Sequence, residues 1–180
     1  MKKKTSNLPL CTALLGAALA LAACDNDDEA PANEATANLE SRSSSATTGT
    51  ATFKEEGGRV KLTLSVTGAT PGQHGAHIHD VGDCSAPDAT SAGPHWNPSA
   101  APHGSPTAAQ HHLGDLGNIA VGQDGTGTLE LSKPEWKLGD GSATDVVGKA
   151  VVIHAGQDDL VTDPAGNSGA RVACGVISKQ

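Results

Sequence analysis

Residues 59–67 read Arg-Val-Lys-Leu-Thr-Leu-Ser-Val-Thr, and this stretch decides the fold class. Its four aliphatic side chains, at positions 60, 62, 64 and 66, alternate with polar ones. A period of two is typical of a β-strand that buries one face. Residues 50–55 form a plausible partner strand, with Gly57-Gly58 as the turn between them.

The rest of the chain continues this pattern. Further strands are predicted at residues 75–79, 116–121, 127–131, 146–154 and 171–177, and no helical period exceeds two turns. The chain has 22 Gly, 10 Pro and only three aromatic residues, so its core must come from Val, Leu, Ile and Ala. We therefore predict an all-β fold, an antiparallel sandwich or closed barrel.

The first 23 residues read as a targeting segment. Three lysines at positions 2–4 precede an apolar run at residues 8–23 that is too short to predict a spanning helix. It ends in Leu-Ala-Ala-Cys at positions 21–24, which resembles a bacterial lipobox. We predict that residues 1–23 are a lipoprotein signal peptide, and that Cys24 is acylated and anchors the exported protein to a membrane of the cell envelope, on its periplasmic or extracellular face. The alternative is ordinary signal-peptide cleavage, with Cys24 incidental.

Residues 24–49 are acidic and show no apolar period. We predict a disordered tether there, with a short helix at residues 33–39 as the alternative, and a folded domain at residues 50–180. The net charge of the chain is −8. Removal of the signal peptide would also remove its three lysines and make the net charge more negative. Nucleic-acid partners are therefore not expected, because phosphate binding needs clustered Lys and Arg.

Two irregular segments, residues 80–115 and 156–170, hold or flank most of the eight histidines. Long structureless loops in a compact domain are usually functional or disordered. His77-Ile78-His79 ends the predicted strand that precedes the first loop. Side chains two positions apart on a strand point to the same face, so the two imidazoles lie on one face of this strand. Taken singly, this motif is equally compatible with an exposed polar strand face.

The wider set of histidines indicates metal binding. His103, His112 and Asp115 follow His95 at loop spacings. Nitrogen and carboxylate ligands suit zinc, whereas an imidazole group completed by His154 suits copper better. Bound metal would supply ordering energy that the apolar content of this loop cannot.

Four separated motifs, in order, resemble copper/zinc superoxide dismutase. They are Gln-His-Gly-Ala-His-Ile-His at 73–79, Ala-Gly-Pro-His-Trp-Asn-Pro at 92–98, His-Leu-Gly-Asp-Leu-Gly-Asn at 112–118 and Gly-Ala-Arg-Val-Ala-Cys-Gly-Val-Ile at 169–177. The resemblance extends from about residue 50 to residue 177. It implies an antiparallel Greek-key β-sandwich or flattened barrel of immunoglobulin-like architecture with two long functional loops. It implies dismutation of superoxide to oxygen and hydrogen peroxide by a copper ion that cycles between Cu(II) and Cu(I), with zinc in a structural role.

The resemblance also implies a role for individual residues. Copper would be bound by His77, His79, His95 and His154, and zinc by His95, His103, His112 and Asp115. Asp158 would orient ligands of both ions, and Arg171 would attract the superoxide anion, so that Arg171 and His95 are the expected catalytic residues. His74 and His111 match no ligand and are expected at the surface or behind the ligands.

The cysteines agree with an exported protein. Cys11 would leave with the signal peptide and Cys24 would carry lipid, which leaves Cys84 and Cys174. In an oxidising compartment a disulfide between these two is expected, and the alternative is two buried thiols. Whether the protein forms a homodimer stays open at this point.

The sequence departs from the family pattern around the copper channel. Neither long loop contains a Lys or Arg, so we expect activity to depend only weakly on ionic strength, unless Lys133 or Lys137 folds close to the channel. Trp96 stands where Phe is usual and is expected to change packing rather than metal binding. The competing functions are a non-catalytic copper-storage module on the same fold and a structural or adhesive sandwich with incidental histidines.

Overall fold

The computed structural model of the protein describes residues 33–180, so that the expected signal peptide and Cys24 lie outside the described residues. Nine strands are present: β1 Glu34–Ser41, β2 Thr48–Glu56, β3 Arg59–Thr67, β4 Gly72–His79, β5 Asp115–Val121, β6 Gly127–Lys133, β7 Ala150–His154, β8 Arg171–Val176 and β9 Ser178–Lys179. Within residues 33–180 the one helical element is a 3-10 turn at Thr90–Ala92, and no helix there is long and apolar enough to cross a membrane.

The strands form one antiparallel sheet that closes on itself. Its order is β2-β3-β6-β5-β4-β7-β8-β1-β9, and β1 also pairs with β2, so that eight strands complete a ring. After β3 the chain crosses to β4 and returns through β5 and β6 to lie beside β3, which is a Greek-key arrangement. The all-β prediction is confirmed, with the barrel as the correct form.

The stretch at residues 59–67 behaves as its alternation predicts. Val60, Leu62, Leu64 and Val66 are all buried inside the barrel, and β3 pairs with β2 along its whole length. Gly57 and Gly58 connect the two strands with φ of 57° and 75°. Two consecutive residues with positive φ form the turn that matches the twist of a two-residue hairpin, which is why glycine is favoured at both positions.

The predicted tether is wrong from residue 34 onward. Residues 34–41 form β1, which pairs with β2, β8 and β9, and Ala35, Ala37 and Leu39 are buried in the main core. The alternative helix at 33–39 is also wrong. The alternation of these three residues was a weak signal, because alanine has a low strand propensity and acidic residues surround the segment. Its burial depends on β2 and β8, which are distant in sequence.

The predicted strand at 146–154 is too long at its start. Gly148 has φ of 80° in a turn, and the strand begins at Ala150. β7 is buried along its whole length because both of its faces are covered. Val151 and Ile153 face the main core, whereas Ala150 and Val152 contact a second small cluster formed with Ala89, Ala92 and Cys174. The first long loop therefore packs on the outside of the barrel.

Candidate metal centre

The candidate metal-binding residues begin on β4, whose two faces point to opposite sides of the barrel wall. Ala76 and Ile78 point into the core, and His77 and His79 point outward beneath the two loops. β4 pairs with β5 through its first half and with β7 through its second half, and a register shift lies between Ala76 and His77. This pairing brings the end of β7, with His154, alongside the two histidines.

One group of ligands consists of imidazoles only. A ring nitrogen from each of four histidines lies within 4.8 Å of the others, and the members are His77, His79, His95 and His154. Within residues 33–180, five buried side-chain atoms lack a hydrogen-bond partner, and four of them are nitrogens of this group: His77 Nδ1, His79 Nε2, His95 Nε2 and His154 Nε2. Four buried lone pairs that converge without a donor fit a bound cation, because uncompensated burial of polar atoms is costly.

A second group combines three imidazoles with one carboxylate. Asp115 Oδ1 lies 3.0 Å from His95 Nδ1, 3.1 Å from His103 Nδ1 and 3.2 Å from His112 Nδ1. The Nδ1 atoms of His95 and His112 are 3.4 Å apart. Zinc bonds of 2.0–2.1 Å place tetrahedral ligand atoms about 3.3 Å from each other. The four atoms are therefore spaced as zinc ligands.

His95 belongs to both groups. Its Nε2 is one of the unpartnered nitrogens, and its Nδ1 faces Asp115. The ring lies against His77, with centroids 3.8 Å apart, and its backbone pairs with His79 through an isolated bridge. One imidazole can therefore contact two ions at once, which is the arrangement that the sequence resemblance implies.

Asp158 connects the two groups from behind. Its Oδ2 is 2.7 Å from His77 Nε2, and its Oδ1 is 2.9 Å from His103 Nε2, so it accepts a hydrogen bond from one histidine of each group. Asn118 holds this residue through two hydrogen bonds to its backbone. The carboxylate is fully buried, and its hydrogen bonds fix the orientation of the two imidazole rings.

Backbone carbonyl oxygens fix the two remaining rings of the imidazole group. His79 Nδ1 donates to Gly93 O at 2.8 Å, and His154 Nδ1 donates to Gly169 O at 3.0 Å. Since each ring carries its proton on the nitrogen that faces the carbonyl, the other nitrogen keeps its lone pair for a metal.

Burial favours the neutral form of three histidines of the imidazole group. It lowers the pKa of His77 well below its usual value, that of His79 to about 2 and that of His154 to about 4. The neighbouring imidazoles lower these pKa values further. Protons therefore compete weakly for the nitrogens that would bind copper.

The second group is more strongly influenced by carboxylates. Burial acts to lower the pKa of His103, but the hydrogen bond to Asp158 and the charges of Asp115 and Asp158 outweigh burial and raise it. Burial acts to raise the pKa of Asp115, but hydrogen bonds from His95 and the Gly104 amide lower it. Asp115 is thus an anion that favours a cation among its histidines.

Arg171 lies at the opening of the imidazole group. Its two terminal nitrogens donate to Ala89 O and Gly93 O, both at 2.7 Å, so that its guanidinium is held by the first loop. A cavity of about 350 Å³ is lined by Arg171 together with His79, His95, His154, Pro164 and Ala165, among others. A small anion in this cavity would meet both the guanidinium and the imidazole group.

Cys84 and Cys174 form a disulfide, as expected, with a Cα–Cα distance of 5.7 Å. The bond joins the first loop to β8, the strand that begins with Arg171. Arg42 adds a hydrogen bond to Cys84 O at 2.9 Å. The carbonyl groups that hold Arg171 and the strand that carries it are therefore covalently connected.

His74 is not at the surface but supports the metal centre from behind. It is 3% exposed, and its ring nitrogens lie 2.8 Å from His154 O and 2.8 Å from Thr70 O. Sequence reasoning gave this residue no individual role, because its backbone partner His154 is 80 positions away. His111 is half-buried and its Nε2 lies 3.0 Å from Lys133 Nζ.

Among the described residues, no lysine lines the cavity beside Arg171. Lys133 lies beneath the first loop, where it donates to Pro106 O, and Lys137 pairs with the segment at Asp145. Sequence reasoning missed Lys149, which lines a neighbouring cavity with His95 and Trp96 but is bonded to Asp80 Oδ1 at 2.7 Å. Trp96 itself is buried in the main core, and His95 keeps its place in both groups.

The fold and the site together define a class: an antiparallel β-barrel metalloprotein whose two ion sites share one histidine. Residues 47–177 match the family model for copper/zinc superoxide dismutase (SODC). The chain belongs to the copper/zinc superoxide dismutase family.

Two relatives illustrate the similarity. The chain is 43% identical to superoxide dismutase [Cu-Zn] 2 of Brassica juncea over 145 residues, which cover 77% of this chain and 93% of that protein. Its structure is similar to the crystal structure of the clock protein EA4, with a TM-score of 0.74 and 33% identity, over 83% of this chain and 96% of the other.

Proposed function

We propose that this protein catalyses the dismutation of superoxide to oxygen and hydrogen peroxide. Copper would be held by His77, His79, His95 and His154, and zinc by His95, His103, His112 and Asp115. The observation that carries this proposal is the convergence of four buried, unpartnered imidazole nitrogens, one of which belongs to the histidine shared with the second group. Membership of the family supports the same activity.

Arg171 is assigned the binding of the substrate. Copper supplies the one-electron chemistry that oxidation and reduction of superoxide require, and zinc has no redox chemistry of its own. The guanidinium is fixed by Ala89 O and Gly93 O, and it faces the same cavity as three ligands of the imidazole group. Gly93 O also accepts from His79, so the anion-binding group and a ligand share one anchor.

His95 is assigned the handling of a proton. Its Nδ1 lies among the zinc ligands, and its Nε2 faces the imidazole group next to the cavity. Because Nε2 has a single lone pair, it would hold either copper or a proton, and Nδ1 keeps the ring in position in both cases. A proton at that atom lies within reach of a peroxide anion bound beside Arg171.

The test is metal analysis of the purified protein followed by superoxide consumption. We expect one copper and one zinc for each chain, and loss of both copper and activity in His154→Ala. His111→Gln is the matched control, because it replaces a histidine outside both groups with a side chain that still offers an acceptor to Lys133. A protein that is loaded with copper but inactive would instead indicate copper storage.

We also propose that the protein is an exported lipoprotein anchored at Cys24, which protects against superoxide outside the cytoplasm. The apolar run at residues 8–23, the small residues before Cys24 and the disulfide between Cys84 and Cys174 support this proposal. Because β1 begins at Glu34, the connection from Cys24 to the barrel spans at most about 35 Å. The barrel would then stay close to the membrane surface.

Lipidation is tested by expression in a bacterium and separation of membranes from soluble protein. We expect the wild type in the membrane fraction with the mass of an added lipid, and Cys24→Ser in the soluble fraction. Cys11→Ser is the control, since it removes a thiol from the expected signal peptide. Equal fractionation of all three proteins would contradict the anchor.

A further inference from the structure

Residues 163–166, which we call the wall segment, form part of the copper cavity and also contact a zinc ligand. Pro164 and Ala165 line the cavity together with Arg171, His79 and His154. The segment belongs to the loop between β7 and β8 and lies outside the strands. Its position therefore depends on individual contacts rather than on the sheet.

The start of the wall segment is held by the side chain of Asp163. Its Oδ1 accepts a hydrogen bond from the backbone N–H of His103 at 2.6 Å, across 60 positions of sequence. The ring of His103 takes part in the zinc group through Nδ1 and contacts Asp158 through Nε2. Asp163 thus holds the backbone of a residue whose side chain is a ligand.

The end of the wall segment lies against the same histidine. A Cβ atom on Gly166 would overlap Asp158 Oδ1 and would lie 2.7 Å from His103 Nε2. Gly166 is fixed there by hydrogen bonds from its N–H to Thr162 O at 2.7 Å and from Asp159 N–H to its own carbonyl oxygen at 2.9 Å. Both ends of the wall segment therefore lie next to His103, and Pro164 and Ala165 connect Asp163 with Gly166.

We infer that Asp163 is a positioning residue for the dismutase reaction, because its hydrogen bond to His103 fastens the wall of the copper cavity to the zinc group. This inference rests on the function proposed above. It implies that the shape of the anion cavity depends on an intact zinc group, although the wall segment contributes no ligand. Hydrogen bonds to ionised acceptors are among the stronger ones in proteins, so a single carboxylate can carry this connection.

The test uses the full chain loaded with copper and zinc. Asp163→Ala removes the acceptor, and Asp163→Asn keeps an acceptor oxygen while removing the charge. Asp124→Ala is the matched control, because Asp124 is also an exposed carboxylate that accepts from a backbone N–H, that of Thr126, in a distant turn. Two quantities are measured: the rate of zinc release to a chelator, and the dissociation constant of azide, a small anion, from the absorbance of copper(II).

We expect Asp163→Ala to release zinc about five to ten times faster and to bind azide about three times more weakly. Changes of this size correspond to the loss of one hydrogen bond. Asp163→Asn should lie between the wild type and Asp163→Ala in both quantities, because its neutral acceptor makes a weaker hydrogen bond than the carboxylate does, and Asp124→Ala should match the wild type. If the alanine variant does not fold, Asp163→Glu, which keeps the charge but displaces the acceptor, is expected to change both quantities in the same direction.

Two results would overturn the inference. Equal behaviour of Asp163→Asn and Asp163→Ala would show that the charge, rather than the hydrogen bond, matters. Unchanged zinc release and azide binding in Asp163→Ala would show that the wall segment is held by other contacts. A wild type that binds neither copper nor zinc would instead contradict the proposed function itself, and metal analysis before the comparison separates these cases.

Discussion

The histidines of the imidazole group make the metal-free protein sensitive to acid. His154, with its pKa lowered to about 4 by burial, stays neutral in the folded state while the unfolded chain takes up a proton near the ordinary value of about 6.5. Acidification below that value therefore favours unfolding, and the effect ends as the pH passes below the folded-state pKa. His77 and His79 act in the same direction, and His103, with its raised pKa, opposes them in part.

We predict that the metal-free protein loses stability between pH 6.5 and pH 5, by about 1.4 kcal/mol per pH unit for each such histidine. His154→Asn should make this dependence shallower by about that amount. Urea unfolding at several pH values in the presence of a chelator measures it. An identical slope in the variant would contradict the assigned cause.

Gly166 provides a second prediction about a single side chain. Ala at this position would meet Asp158 and His103 and would also adopt φ of 59°, so it should displace the carboxylate and weaken both ion sites. Gly141→Ala is the control, since Gly141 has φ of 72° with nothing within 4 Å of a new Cβ atom. We expect Gly141→Ala to cost about 1 kcal/mol of folding stability without loss of metal, and Gly166→Ala to lose copper and zinc as well. Metal content and urea unfolding of the two variants decide this.

A disulfide and two hydrogen bonds of Arg171 connect β8 to the first loop. The disulfide closes a stretch with a sequence separation of 90, and the same loop supplies the carbonyl groups that fix Arg171. We predict that replacing Cys84 and Cys174 with Ser lowers the free energy of unfolding by about 4 kcal/mol. Activity should also fall, because Arg171 would lose its fixed orientation.

The measurement for this double variant is urea unfolding together with superoxide consumption. The wild type in the presence of a reductant, which breaks the same bond without a substitution, serves as its comparison. Full activity of the double variant at a temperature where it remains folded would show that the loop holds Arg171 without the covalent bond.

The charge distribution of the molecule governs how fast the anionic substrate arrives. The net charge of the chain is −8. Arg171 is the cationic side chain that lines the cavity beside the imidazole group. Lys149, in the neighbouring cavity, forms an ion pair with Asp80. Arg171 attracts the anion near the cavity, whereas the net negative charge of the protein repels it at long range. Salt screens both interactions, so its two effects on the rate oppose each other. We predict that kcat/KM changes by less than about twofold between low and physiological ionic strength.

Ala165→Lys tests the same argument in the opposite direction, since it adds a cation to a residue of the cavity wall. Its kcat/KM should rise at low salt and fall more steeply as salt is added. Stopped-flow superoxide consumption at several salt concentrations compares the two proteins. A steep salt dependence in the wild type would indicate a source of attraction other than Arg171. The sequence left open whether the protein is a monomer or a homodimer, and sedimentation of the purified protein would answer this.

The sequence by itself determined the fold class and the chemical nature of the site. The alternation at residues 59–67 needs only local geometry, because neighbouring side chains on a strand always point to opposite faces. The pair His77 and His79 could be predicted for the same reason, and the remaining site residues were identifiable because residues 50–177 as a whole resemble a family.

Only the tertiary structure revealed the strand and the hydrogen bonds that form between residues far apart in the sequence. β1 was missed because its alternating Ala35, Ala37 and Leu39 become a strand through pairing with β2 and β8. The supporting contact of His74 with His154 O and the bond from His103 to Asp163 join residues 80 and 60 positions apart. Such contacts arise when the barrel closes and the loops fold over it, so no local pattern in the sequence records them.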